Sequence, residues 1–340
     1  MNVTELNATR HSGTDIALPD GRSVPRIGVG GWAMGGPFFL DGRPDGWGDV
    51  DDAQSVRALE LAYDLGARIF DTADVYGTGH SETVLGRAFA QRRSEIYLAT
   101  KFGYLYDEAT RHVAGSDVSP AYIGKAVQAS LRRLGTDYID LYQIHVGGLA
   151  PAAADAAGEA LERLAETGAI RAWGWSTDDA AAARRMLAFP HFAAVQQELS
   201  LFCDGPDMLT LCEANGLLSL NRSPLAMGFL TGKFGPATAM PASDVRGAGH
   251  DWVRFFKQGR PLPEFLARLD AVRELLRNGG RTLAQGALGW ILARSPQAVP
   301  IPGFKTENQV RDNLGALQKG PLSAATMAEI AHLLAVAEDA

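Results

Sequence analysis

The sequence predicts a closed barrel of eight parallel strands, each followed by a helix: an α/β (β/α)8 TIM barrel. Three observations point there. Short apolar segments alternate with amphipathic ones along most of the 340 residues. Eight strand-like segments can be counted from Arg26 onward, each followed by helical sequence. Titratable side chains cluster just past three successive strands, and in a parallel barrel such ends converge on one mouth. Eight such units in a chain of this length fit a closed barrel better than an open doubly wound sheet.

The elements are read in order. Residues 1–15 form a polar tail. Residues 16–18 and 23–26 flank Pro19-Asp20-Gly21, which predicts a small hairpin. Residues 26–30 make an apolar strand. Residues 51–65 carry helical spacing at Val56, Leu59, Leu61, Ala62 and Leu65. Strand 67–70 precedes helix 81–90. Strand 96–100 precedes helix 120–134, with Ser119 as N-cap and Pro120 at the first helical position. The alternation continues with strand 139–144, helix 152–167, strand 170–175, helix 180–187, strand 193–196 and helix 207–215. Strand 217–221 is followed by helices 263–277 and 282–295. Strand 298–301, helix 307–316 and a final helix 324–337 complete the chain, so residues 16–340 read as one domain. The segments 34–50 and 231–262 are longer than barrel connections need and rich in Gly, Pro and aromatics. They are expected at the mouth, where long loops serve binding.

Composition narrows the function. Lys and Arg number 32 against 39 acidic residues, a net charge of −7 without a basic block, which argues against nucleic acid or an anionic membrane as partner. Apolar content of 46% suits a large core. Cys203 and Cys212 lack the spacing of a disulfide framework or a cysteine metal site, and two free thiols suit a reducing cytoplasm. The first 15 residues hold no signal-like apolar core, and no run of about 18 apolar residues exists. The reading is a cytoplasmic protein acting on a small molecule, its oligomeric state left open.

The most informative stretch is Phe70-Asp71-Thr72-Ala73-Asp74-Val75-Tyr76-Gly77. It sets a carboxylate and a phenol at the end of the second strand. Lys101 ends the third strand and His145 the fourth. Reducing a carbonyl needs a hydride source and an acid for the oxygen. A phenol, with pKa of about 10, holds its proton at neutral pH. A neighbouring ammonium lowers that pKa and eases release, and a carboxylate holds the ammonium. Tyr76 as acid, Lys101 as tuner and Asp71 as its partner form such a relay, with His145 orienting the carbonyl. Asp71 and Asp74 lack a third ligand at metal-binding spacing, so no metal is expected. Gly28-Val29-Gly30-Gly31-Trp32-Ala33 matches a loose dinucleotide pattern, but no helix opens at Met34-Gly35-Gly36-Pro37, so a Rossmann reading is rejected.

This constellation resembles the aldo-keto reductase superfamily, NADPH-dependent (β/α)8 barrels with an Asp/Tyr/Lys/His tetrad. FDTADVYG carries Asp71 and Tyr76, LATKFG carries Lys101, and DLYQIH carries His145. The resemblance runs from about Arg26 to Leu317 and implies where NADPH binds. Gly303, Lys305, Gln309 and Asn313, at the last strand and its helix, would hold the adenosine end, with Thr306 as an added hydroxyl. Arg222, Ser223, Pro224, Leu225 and Gly228, with Lys233, resemble the loop around pyrophosphate and ribose. Ser176, Thr177 and Gln196 match positions that grip the nicotinamide amide. Gly31 and Trp32 approach from the first strand. Thr177 stands where many relatives have Asn, and Arg222 where many have an aromatic. Arg222 is therefore expected to stack on the nicotinamide and to favour its uncharged, reduced form.

Trp32, Phe38, Phe39, Trp47, Tyr104, Trp252, Phe255 and Phe256 are expected to wall the substrate pocket. His250, Arg254 and Lys257 could recognise an anionic substituent, but a surface role is expected. The resemblance implies a carbonyl reductase. A sugar or polyol dehydrogenase and a cofactor-binding redox-sensing subunit are the alternatives.

Overall fold

The structure is a computed structural model that describes residues 13–338; most of the N-terminal tail lies outside that range. Eight parallel strands follow one another around the sheet: β1 (Val29–Gly30), β2 (Ile69–Asp71), β3 (Tyr97–Phe102), β4 (Ile139–Ile144), β5 (Ile170–Ser176), β6 (Phe192–Glu198), β7 (Leu218–Arg222) and β8 (Ala298–Pro300). Neighbours in sequence pair in parallel throughout. The first and last strands meet as well. Gly28 N donates to Pro300 O at 3.0 Å and Gly30 N to Pro302 O at 3.1 Å, which closes the barrel. Closure joins the two edges of the sheet, so the barrel strands satisfy one another's backbone groups.

The helices α1 (Asp52–Asp64), α2 (His80–Phe89), α3 (Pro120–Leu134), α4 (Pro151–Glu166), α5 (Ala180–Arg185), α6 (Pro206–Asn215), α7 (Pro263–Arg277) and α8 (Leu283–Arg294) lie between consecutive strands, and α9 (Glu307–Lys319) and α10 (Ala324–Glu338) follow the last one. Their ends follow capping chemistry. Ser119 accepts from Tyr122 N ahead of Pro120, as expected. Thr282 and Thr306 each form a capping box with the glutamine three residues on.

Strand alternation divides the apolar residues into two sets. One set, including Leu59, Val84, Ile123 and Leu161, packs helices onto the outside of the barrel. The other, Ile69, Tyr97, Ala99, Leu141, Ala172, Ala194, Leu218, Leu220, Val299 and Ile301, fills its interior. The hairpin Asp15–Ala17/Ser23–Pro25 adds Ile16, Leu18 and Val24 to that second set, so it plugs the barrel's lower end.

The structure adds elements that the sequence pattern concealed. Tyr104–Asp107 and His112–Ser116 form a hairpin after β3, and they join Phe39–Leu40 and Arg43–Pro44 in a four-stranded sheet over the mouth. A separate two-stranded ribbon pairs Phe256–Lys257 with Arg260–Pro261. The two long loops hold each other: Val245 N donates to Gly46 O at 2.9 Å, and Arg43 Nη1 to Gly249 O at 2.5 Å.

Candidate active site

The same alternation that fills the barrel with Ile69, Ala99 and Leu141 brings Asp71, Lys101 and Gln143 to the layer above them. Asp71 and Lys101 lie inside their strands rather than past them; His145 follows β4 directly, and Tyr76 sits five residues beyond β2. Lys101 is fully buried. Its Nζ donates to Asp71 Oδ2 at 2.6 Å, to Thr72 O at 2.8 Å and to the Tyr76 hydroxyl at 3.3 Å. The ammonium thus has all three protons placed. Asp71 Oδ1 accepts from Gln143 Nε2 at 3.2 Å and from Gln196 Nε2 at 2.9 Å. Asp71, Tyr76 and Lys101 are therefore brought together, and Gln143 holds Asp71 from its own layer.

A close backbone approach fixes Tyr76. Gly77 has φ +61°, and a Cβ placed there would collide with Gly35 O. Only glycine permits this contact between the segment after β1 and the segment after β2. Trp32 then stacks on the Tyr76 ring, with centroids 6.0 Å apart, and His145 meets that ring edge-on at 5.7 Å.

Electrostatics assign proton states. Burial lifts the Tyr76 phenol above its ordinary 10, although Lys101 pulls the other way. The net shift is opposite to the expected lowering, because desolvation outweighs the ammonium here. Burial pulls Lys101 down, but Asp71 and Tyr76 together hold its pKa above 10.5. Burial first, then Lys101 and Arg222, hold His145 well below 6.5, so its imidazole is neutral. At neutral pH the site holds a protonated phenol, an ammonium and a neutral imidazole.

These groups open into a cavity of about 670 Å³. Asp71, Tyr76 and His145 line it, while Lys101 lies behind them. Gly31, Trp32, Ser176, Gln196, Arg222, Ser223, Pro224, Leu225, Gly228, Lys233, Gly303, Lys305, Gln309 and Asn313 also line it. Thr177 does not. Its hydroxyl donates to Gly147 O at 2.7 Å and accepts from Asp179 N, so it secures a turn.

Two expectations about neighbours need revision. Arg222 pairs with Asp178 and, at 3.3 Å, with Glu198, which also pairs with Arg254 at 2.6 Å. Its charge is already matched by carboxylates, which removes the basis for a strong bias against a cationic ring. Gln309 keeps only its Nε2 for a cofactor: its Oε1 accepts from Lys305 N at 2.6 Å and Thr306 N at 3.2 Å. The start of α9 thus spends part of its N–H capacity on its own cap. Positive charge there comes instead from side chains. Lys233 and Lys305 are pulled below 10.5 first by burial, with Arg246 close by adding like charge. Arg246, which sequence reasoning passed over, is buried, pairs with Asp244 at 2.6 Å and lines the cavity.

The wall is aromatic, as expected, but not with the full expected membership. Trp32, Phe38, Trp47, Tyr104 and Trp252 line it; Leu40 and Val113 join them from the sheet over the mouth. Phe255 and Phe256 do not: both are buried against Phe229 and its neighbours, because that loop folds its own small core. Phe39 stacks on His112 instead. His250 is buried rather than at the surface, its Nε2 donating to Pro44 O at 2.9 Å.

Known proteins share this architecture. The model described as the Aldo/keto reductase family matches residues 26–335. An aldo-keto reductase of Schizosaccharomyces pombe, yakc, whose name specifies NADP(+), is 34% identical over 318 residues, covering 91% of this chain and 88% of that protein. Glycerol dehydrogenase AKR11B4 from Gluconobacter oxydans superposes with a TM-score of 0.81 at 30% identity, covering 96% of each chain. An aldo-keto reductase from Klebsiella pneumoniae, solved in complex with NADPH, superposes with a TM-score of 0.69 at 27% identity, covering 94% of this chain and 95% of that one.

Proposed function

The chain belongs to the aldo/keto reductase family, and from that premise we propose that it reduces an aldehyde or ketone to an alcohol with NADPH, Tyr76 supplying the proton. The observation that carries this reading is the Lys101 ammonium, held between Asp71 Oδ2 and the Tyr76 hydroxyl at the wall of an aromatic cavity.

The residues present suit the cofactor. Lys233, Arg246 and Lys305 line the cavity, with Asp244 as the carboxylate paired to Arg246. Two of these cations are pulled down by desolvation, so a phosphate would relieve them. Lys305 with Gln309 and Asn313 would hold the adenosine end, and Ser176, Gln196 and the 222–228 loop the nicotinamide end. When bound, NADPH supplies the hydride.

The rest is done by this chain. His145 donates an N–H to the carbonyl oxygen and sets its direction. Tyr76 gives its proton to that oxygen as negative charge develops there. The phenolate left behind is stabilised by Lys101, whose charge Asp71 retains in place. Gln143 and Gln196 keep Asp71 from turning away. The same site run in reverse takes a proton from an alcohol, the direction in the name of the Gluconobacter relative.

The test measures NADPH consumption against a panel of aldehydes and ketones. Tyr76→Phe should remove most turnover, by about 100-fold or more, and leave NADPH binding intact. Undiminished turnover, or loss of binding alone, would contradict the role given to Tyr76. NADPH that binds but stays unoxidised with the whole panel would favour the sensing reading.

A further inference from the structure

Asp45 is a carboxylate that the proposed reaction does not use, yet it lines the reaction cavity. Among the described residues, three carboxylates line that cavity. Asp71 is bound to Lys101, and Asp312 accepts from Thr282 Oγ1 at 2.7 Å and from Gln285 Nε2 at 3.1 Å. Asp45 has no comparable partner among the described residues. Its Oδ1 is buried without a hydrogen bond. The nearest cationic candidate, His250 Nε2, stands 3.5 Å away and directs its proton to Pro44 O.

Position ties Asp45 to the reacting end. Trp32, which stacks on Tyr76, donates its Nε1–H to the Asp45 backbone oxygen at 3.1 Å. Trp47 and Trp252 lie against Trp32 at centroid distances of 5.2 and 6.0 Å. The Asp45 carboxyl therefore belongs to the same aromatic wall as Trp32, the ring that stacks on the proton donor. Burial of an unsatisfied acceptor is unfavourable, and a donor arriving on a ligand relieves it.

We propose that Asp45 is a specificity residue: it receives a hydroxyl of a carbonyl substrate whose reacting oxygen is held at Tyr76 and His145. The proposal rests on the carbonyl-reductase reading. The substrate class it names is a neutral hydroxy-aldehyde or hydroxy-ketone, with C–H faces for the tryptophans and an O–H for Asp45. A neutral hydroxyl fits better than an ammonium, because Arg246 already lies over the Trp47 ring at 4.6 Å and would oppose a second cation there. In addition, burial raises the Asp45 carboxyl to about 7, so it can meet a hydroxyl as acceptor or as donor.

The experiment compares kcat/KM for matched aldehydes with NADPH: propanal against glyceraldehyde, and meta- and para-methylbenzaldehyde against their hydroxymethyl counterparts. A dimethylaminomethyl benzaldehyde serves as the cationic arm. The wild type should prefer the hydroxylated member of at least one pair by about 10- to 100-fold. Asp45→Leu should abolish that preference while leaving the unhydroxylated aldehyde within a few-fold of wild type. Asp45→Asn, which keeps shape and hydrogen bonding, should retain part of it and guards against a folding defect in the leucine variant. A preference that survives in Asp45→Leu, its absence in the wild type, or a stronger preference for the amine overturns the proposal while leaving carbonyl reduction standing. Failure of every aldehyde overturns the carbonyl reading, and this proposal with it.

Discussion

Replacing Asp45 with asparagine should stabilise the protein, by an amount that grows with pH. In the folded chain burial, and then the like charge of Asp41, raise the Asp45 carboxyl from 3.8 to about 7. Between those two values the folded state holds a proton that the unfolded chain has released, so stability falls as pH rises through that window. Near pH 8 the ionised group costs about 4 kcal/mol, at ~1.4 kcal/mol per pKa unit, and near pH 4 it costs little. Asparagine has no such titration. The gap between variant and wild type should therefore open by up to about 4 kcal/mol from pH 4 to pH 8. With an unfolding entropy of roughly 2 cal/mol/K per residue, that corresponds to about 6 °C in Tm for a chain of this size. Thermal unfolding without ligand, followed by circular dichroism across that range, measures it. His250, Asp41 and Tyr104 are the other ionisable groups that face Asp45. Repeating the pair in a His250→Gln background removes the nearest of them. Parallel Tm curves for variant and wild type would refute the argument, because they would mean that Asp45 titrates alike in both states.

Other parts of the site make separate claims. Lys305→Ala should raise the KM for NADPH by about 10-fold or more, as expected for a charge-assisted contact, and leave the KM for NADH nearly unchanged; equal losses with both cofactors would mean that Lys305 does not hold the adenosine 2′-phosphate that distinguishes NADPH from NADH. Gly77→Ala forces a methyl into Gly35 O at a positive φ, so it should cost ~3 kcal/mol or more in denaturant unfolding. A wild-type unfolding midpoint would show that the two segments can separate freely. His145 stays neutral when folded but takes a proton near 6.5 when unfolded, so stability falls as pH drops below that value. His145→Gln should flatten this acid limb and leave Tm near pH 8 unchanged; an unaltered limb would place the titration elsewhere.

What the sequence disclosed and what it withheld have physical causes. Apolar runs bounded by turns and 3.6-residue periodicity locate the eight strands and their helices to within about three residues at each end, and helix 120–134 matches Pro120–Leu134. Strand ends carry the tetrad, so its members were legible together. Gln143 was passed over, although period 2 puts it on the same face as His145, two residues away. The mouth was not. Its short strands, such as His112–Ser116, are largely exposed and lack an apolar face to leave a pattern. Phe255 and Phe256 show that aromatic character alone does not separate a wall from a core. Asp45 and Arg246 belong to loops with no period, and they reach the cavity through contacts such as Val245 N to Gly46 O, between residues about 200 apart in the chain.

The order of the strands around the barrel has a consequence for redesign. The candidate proton groups come from β2 through β4, and most of the candidate cofactor contacts from β5 through β8. Beyond the β4–β5 ladder, the two arcs meet at two seams: the backbone closure through the first strand, from Gly28 to Pro300, and the Gln196 amide on Asp71. A chimera that exchanges the second arc for that of a relative with different cofactor preference keeps its acid intact only if both seams survive. Gln196 is thus the position at which such a graft is won or lost, because it belongs to one module and steadies the other.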